Sequence, residues 1–259
     1  MRRLVLALVM CLALLTACFG CAQQTPAPGG VVLEIDGQVG LAAAVALTDN
    51  HIQSMVSSMQ ILAMTDEVKT GKWDTMSGLL TKFKENEIPA VVWFALPNGS
   101  YYSAGSGLAS GNLSYRAYFP KVMSGSMVVG DLIVSKSTGR KSVIATVPVE
   151  KNGNVIGALG VSVYLDDLSG VISGELQLPS NMVFYAVNQD GYIALHTDSQ
   201  WLMQKAADIG SKTFSDAVAE MLLKSEGSAT YEFGGKSETV IFDTMPVTGW
   251  RIAIGEKSG

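Results

Sequence analysis

With 259 residues, 48% of them hydrophobic and 16% charged, the chain has enough apolar content to bury a sizeable core, which excludes disorder over most of its length. Its 18 basic and 23 acidic side chains give −5, a sign that repels phosphate backbones and excludes general nucleic-acid binding. Three cysteines and two histidines are too few and too scattered for a structural zinc site, and no residue pattern calls for a cofactor.

The chain begins with the cationic head Met1-Arg2-Arg3 and an apolar run from Leu4 to Ala17, too short to cross roughly 30 Å of hydrocarbon comfortably as a helix. Residues 1–17 are therefore expected to be an export signal, and removing Arg2 and Arg3 takes the charge to −7. Leu15-Thr16-Ala17-Cys18 resembles the lipobox of bacterial-type lipoproteins, in which the cysteine is lipidated and becomes the mature N-terminus. An ordinary cleavage site, with Cys18 and Cys21 paired in a small disulfide loop, is the other reading. Acyl chains on Cys18 would bury methylenes at about 0.8 kcal/mol each, enough for a stable anchor. Residues 18–35, with their QQTPAPGG stretch, read as a lipidated tether, leaving Cys21 an incidental thiol. No later stretch reaches 18 consecutive apolar residues, so neither a second span nor a cytoplasmic portion is expected, and inward signalling would require a partner.

Residues 36–87 read as helical. Leu41, Val45, Ile52, Met55, Met59 and Leu62 fall at four-three spacing with Thr48 filling the gap, a packing stripe without chemistry. Beyond Thr70-Gly71 the period returns in Trp73, Met76, Leu80 and Phe83 until Pro89 stops it. Strands then take over: Ala90 to Leu96 leads through Pro97-Asn98-Gly99-Ser100 to Tyr101-Tyr102, and Ser142–Glu150 and Val155–Leu165 flank Lys151-Asn152-Gly153-Asn154. Gly157 and Gly160, inside the second hairpin, mark a bulge or a close approach.

The chain also echoes itself. VVWFALPNGSYYSA, from Val91, returns as MVFYAVNQDGYIAL, from Met182, and VIATVPV, from Val143, as VIFDTMPV, from Val240, in the same order and at nearly the same offset. Two related sheet units follow, at 88–180 with a connector and at 181–259. Asp166-Asp167-Leu168 starts the connector, where an aspartate can cap a helix, and Phe214–Leu223 is a helical insert. The expected class is α+β: a long N-terminal helix lashed to two small antiparallel units.

Tyr115-Arg116-Ala117-Tyr118-Phe119, Gly130-Asp131, Ser135-Lys136-Ser137-Thr138-Gly139, Ala145-Thr146-Val147-Pro148-Val149, the strand from Val155 to Val161 and Thr248-Gly249-Trp250 together resemble the double Cache family. The resemblance extends over nearly everything after residue 35. It implies two PAS-like units of an extracytoplasmic sensory domain, the first membrane-distal and ligand-holding, the second membrane-proximal. Arg116 then offers a planar fork of donors to a carboxylate, with Tyr118 and Phe119 as walls and Ser135, Lys136 and Thr146 as further hydrogen-bonding groups. Amino-acid-binding members carry an aromatic five residues before the arginine, a Trp-Tyr pair after it and neutralising aspartates. Here those positions hold Gly111, Tyr118, Phe119 and Ile133-Val134-Ser135, which disfavours an α-amino acid unless Asp131 supplies the charge.

Catalysis has no positive sign. His51 sits amid the long stripe, His196-Thr197-Asp198 reads as a strand exit, and Gly105-Ser106-Gly107 lacks the nucleophile-elbow spacing. Gly234-Gly235 and Asp190-Gly191 read as turns rather than a phosphate cradle or a calcium loop. The sequence thus points to a lipid-anchored, extracytoplasmic sensory lipoprotein that binds a small carboxylate or other polar metabolite and performs no chemistry. Its expected partners are that anionic ligand, the membrane through its anchor, and a membrane receptor or kinase. The alternative is a structural or interaction lipoprotein of the cell envelope that binds no ligand.

Overall fold

The computed structural model describes residues 37–85, 90–136 and 138–258. The expected export signal, Cys18, the tether and Ser137 lie outside them.

Helix α1, Gly37–Met64, has 28 residues and so runs about 42 Å. Most of the expected stripe is buried: Leu41, Thr48, Ile52, Met55, Met59 and Leu62 face inward, while Val45 is only partly buried and Ala44 beside it takes the buried position. Thr48 is tolerated there because its hydroxyl donates to the carbonyl of Ala44 at 2.7 Å. Two shorter helices follow, α2 (Asp66–Lys69), capped by Thr65, and α3 (Trp73–Glu85).

The first sheet comprises β1 (Ala90–Ala95), β2 (Ser100–Ser103), β3 (Gly107–Asn112), β4 (Val128–Val134), β5 (Lys141–Lys151) and β6 (Asn154–Tyr164). Its order is β3-β2-β1-β6-β5-β4. The short helix α4 (Phe119–Met123) lies between β3 and β4, and α5 (Leu165–Leu176) leads out of β6. The second sheet comprises β7 (Met182–Val187), β8 (Ile193–His196), β9 (Gly227–Phe233), β10 (Lys236–Thr244) and β11 (Arg251–Ser258), ordered β8-β7-β11-β10-β9. Laid over one another, the two orders match strand for strand from β2-β1-β6-β5-β4 to β8-β7-β11-β10-β9, and the echoed segments fall on corresponding strands. Helix α6 (Lys212–Leu223) is the insert between β8 and β9.

At the β5–β6 hairpin Asn152 and Gly153 have φ of 52° and 78°, as a tight turn matched to strand twist requires. Central strands of the first sheet are buried on both faces, which is why they read as nearly unbroken apolar runs. Val143, Ala145, Val147, Leu159, Val161 and Phe94 pack in one core with α1 and with Phe184, Ile252 and Ile254 of the second sheet. That continuous core makes α1 the spine along which both sheets lie. The opposite face carries a separate cluster of Trp93, Tyr118, Phe119, Val122 and Ile144. Polar links reinforce the join: Lys141 Nζ donates to the carbonyl of Leu202 at 2.6 Å, and the backbone amide of His196 to Ser169 Oγ at 3.3 Å.

Helix α5 starts from Tyr164, which lends no side-chain cap. Asp166 and Asp167 sit in its first turn, where the Asp166 carboxylate interacts with the backbone amides of that turn as expected, and both aspartates also meet the guanidinium of Arg140 at 2.5 and 2.7 Å.

Candidate ligand site

The segment from Leu113 to Met123 crosses the outer face of the first sheet. Arg116 sits there half-buried, its Nη2 donating to the carbonyl of Val134 at 2.8 Å. Its Nε is buried with no partner, and the guanidinium makes no ion pair among the described residues. Tyr118 is only 2% exposed, beside Trp93 with ring centroids 6.3 Å apart. Burial pushes its hydroxyl up to about 12 against the opposing pull of the Arg116 charge, so it stays neutral at physiological pH.

Two hollows border Arg116. On the sheet side Trp93, Tyr101, Leu113 and Ser162 enclose about 20 Å³, which Ser135 and Lys136 also line. The room over the sheet is taken by the indole of Trp93, which lies against Gly160 and donates from Nε1 to Ser162 Oγ at 3.1 Å. On the other side, a cleft of about 690 Å³ opens between the first module and the second. Its near wall carries Tyr115, Arg116, Lys121 and Asp131, and its far wall the Asn188–Tyr192 turn and Thr248–Trp250. That turn is held by Asn188, whose Oδ1 accepts from the amides of Asp190 at 3.1 Å and Tyr192 at 2.8 Å. The modules come close where Gly130, at φ 90° in a β4 irregularity, would bring a Cβ to 3.2–3.4 Å from Thr248 and Trp250.

Arg116 and Tyr118 line both hollows, and Asp131 lines the cleft. Ser135 is buried, its Oγ accepting from the Thr138 amide at 3.3 Å to close the β4–β5 turn, and Lys136 Nζ stands 5.9 Å over the Tyr115 ring. Two residues lie apart from them. Phe119 is packed in the core beneath α4, and Thr146 donates its hydroxyl to the carbonyl of Leu159 at 3.0 Å within the sheet itself. Sequence reading missed Trp93, Gly160 and Ser162, and all of the far wall. A glycine amid a strand signals a close neighbour, yet the register pairing Trp93 with Gly160 is visible only once β1 and β6 are aligned.

In the second module the corresponding outer face is filled. Tyr185 and Tyr231 join their hydroxyls at 3.1 Å above Phe214, and Glu238 and His196 are buried beside them. Burial lowers the His196 imidazole to about 4, and it raises Glu238 above the usual carboxylate range. Among the described residues no group of three or more His, Cys, Asp or Glu is placed to hold a metal ion, and no helix is long and apolar enough to cross a membrane.

Several known proteins share this architecture. The ligand-binding domain of the Pseudomonas aeruginosa PAO1 amino acid chemoreceptor PctB, in complex with L-Arg, superposes with a TM-score of 0.69 at 16% identity, covering 85% of this chain and 93% of that one. The ligand-binding domain of the Pseudomonas fluorescens chemoreceptor CtaA, in complex with L-serine, gives 0.64 at 16% identity, covering 83% and 93%. An extracellular ligand binding receptor from Desulfohalobium retbaense gives 0.68 at 17% identity, covering 86% of this chain and 40% of that one. In sequence, 108 residues are 28% identical to the methyl-accepting chemotaxis protein TlpB of Bacillus subtilis, a match over 40% of this chain and only 16% of that relative. The family model for the Cache domain matches residues 33–258. The chain therefore belongs to the double Cache family of extracytoplasmic sensory domains, which bind ligands rather than catalyse reactions.

Proposed function

We propose that this protein is a lipid-anchored, extracytoplasmic binding protein that captures a small carboxylate or other polar metabolite at Arg116 and acts through a membrane receptor or kinase. The observation that carries the reading is the state of Arg116. Of five N–H donors, the described residues accept from Nη2 alone, and Nε is buried without a partner. A buried unpaired donor costs roughly 1–3 kcal/mol, and an anion gripped by the planar fork offsets it. Asp131 lines the same cleft, so an ammonium there has a counter-charge, and the sequence-based objection to an amino acid loses its ground. The amino acid chemoreceptors among the similar structures favour the same class. Anchoring is supported by the order of cationic head, apolar run and Ala17-Cys18.

A second reading, an envelope interaction protein without a small-molecule ligand, is favoured by the plugged sheet face, whose hollow has room for about one water. Thermal melting of the full chain in detergent micelles against carboxylates and amino acids separates the two. A binder present at about 100 times its Kd stabilises by about 2.7 kcal/mol, and Arg116→Ala is expected to lose that response. A panel that moves nothing supports the second reading.

A further inference from the structure

Arg116 stands on a partition between a hollow of about 20 Å³ and one of about 690 Å³. The smaller holds about one water, whereas whole metabolites occupy cavities of roughly 300–1,000 Å³. Enlarging the smaller means displacing Trp93, which is fixed by its bond to Ser162 and by its seat on Gly160. The larger needs no such change, because its space already lies between two walls. Those walls belong to different modules, which come close where Gly130 faces Thr248 and Trp250.

We infer that the guest of Arg116 occupies this intermodule cleft and bridges the two modules, and that it carries an anionic group at one end and a cationic group at the other. The inference rests on Arg116 as the anion-binding residue. The charges on the walls set the ligand class. Arg116 and Lys121 supply positive charge on the first module, while Asp131 beside them and Asp190 on the second module supply negative charge. A guest anionic at both ends would bring one end against an aspartate, and one cationic at both ends would meet the guanidinium. Tyr115 and Tyr192 line the cleft, one on each wall, and give the carbon chain between the two charges aromatic surface to lie against. A bridging guest makes different contacts with each module, so its binding biases their separation, which is what a sensor without chemistry requires.

Matched straight-chain probes test this on the full chain in detergent micelles: 6-aminohexanoate, with opposite charges, adipate, anionic at both ends, and 1,6-diaminohexane, cationic at both ends. Melting is expected to rise most with 6-aminohexanoate. Arg116→Ala is expected to abolish the response, and Asp190→Asn and Tyr192→Ala, on the second module, to weaken affinity roughly tenfold or more while the unliganded melting stays put. Binding that depends on Arg116 but is indifferent to both far-wall variants overturns the bridging cleft and leaves the role of Arg116 standing. Binding indifferent to Arg116→Ala overturns that role and the inference with it. A larger response to adipate or diaminohexane, or to none of the three, contradicts the opposite-charge class.

Discussion

Trp93 and Gly160 are direct antiparallel partners on β1 and β6, and the indole lies across the space that a side chain at 160 would fill. Gly160→Ala is therefore expected to overpack the sheet face, lowering stability by about 1–3 kcal/mol. Trp93→Ala leaves a cavity and costs about 3–5 kcal/mol. Urea midpoints measure both, and an unchanged midpoint in Gly160→Ala would show that the ring can move aside.

Arg140 ties the turn after β4 to the start of α5. Its Nη2 meets Asp166 and Asp167, and its guanidinium lies 3.7 Å over the Tyr164 ring. Burial pulls Asp166 up, but the hydrogen bond and charge of Arg140, together with the backbone amides of Asp166 and Asp167, hold the carboxyl below its ordinary value. These groups are partly exposed, so solvent screens the network and Arg140→Ala is expected to cost on the order of 1 kcal/mol. A depressed carboxylate contributes its stability above the unfolded-state value and loses it as pH falls through the folded one. Parent and variant should therefore converge in acid, and also in high salt, when their denaturant midpoints are compared. A gap that persists in both would contradict the pairing.

His196 is 4% exposed, stacked against Tyr185, with Nδ1 accepting from the Asp198 amide at 2.8 Å. Burial lowers its pKa from 6.5 to about 4, with the Asp198 charge opposing and Lys257 adding to the shift. Below pH 6.5 the unfolded chain takes up a proton that the folded chain refuses until about pH 4. The histidine's contribution is thus complete above pH 6.5 and falls across that window, by on the order of 3 kcal/mol in all. His196→Asn keeps an acceptor near the Asp198 amide but does not titrate. Its stability is expected to fall less steeply between pH 6.5 and 4 than the parent's, and parallel slopes would place the imidazole in water.

Much of the scaffold was legible in the chain itself. The stripe from Leu41 to Leu62 fixes one face of α1, and the Asn98-Gly99 and Asn152-Gly153 turns fix two hairpins, because such signals are local. The internal echo revealed the duplication, since corresponding strands need corresponding patterns. The site was legible only in part. Arg116 was singled out by the family motif that its segment resembles, but neither motif nor periodicity can tell a wall from a core, so Phe119 and Thr146 read like their neighbours. Trp93 and Gly160 are far apart in sequence, as are Arg116 and Asp190, and only the folded registers and the joining of the modules bring these pairs to the same places.

Membrane attachment is expected to depend on Cys18. In cells expressing the full chain, Cys18→Ser should lose incorporation of radiolabelled palmitate and leave the detergent phase on phase partitioning. Unchanged labelling would place the acyl chains on another residue.

The capture of an anion by Arg116 is tested most directly by a crystal structure of the protein grown with 6-aminohexanoate. The carboxylate is expected within about 3 Å of the guanidinium nitrogens, with the carbon chain running between the two modules. Electron density for the probe elsewhere, with Arg116 still bonded to Val134 alone, would contradict it.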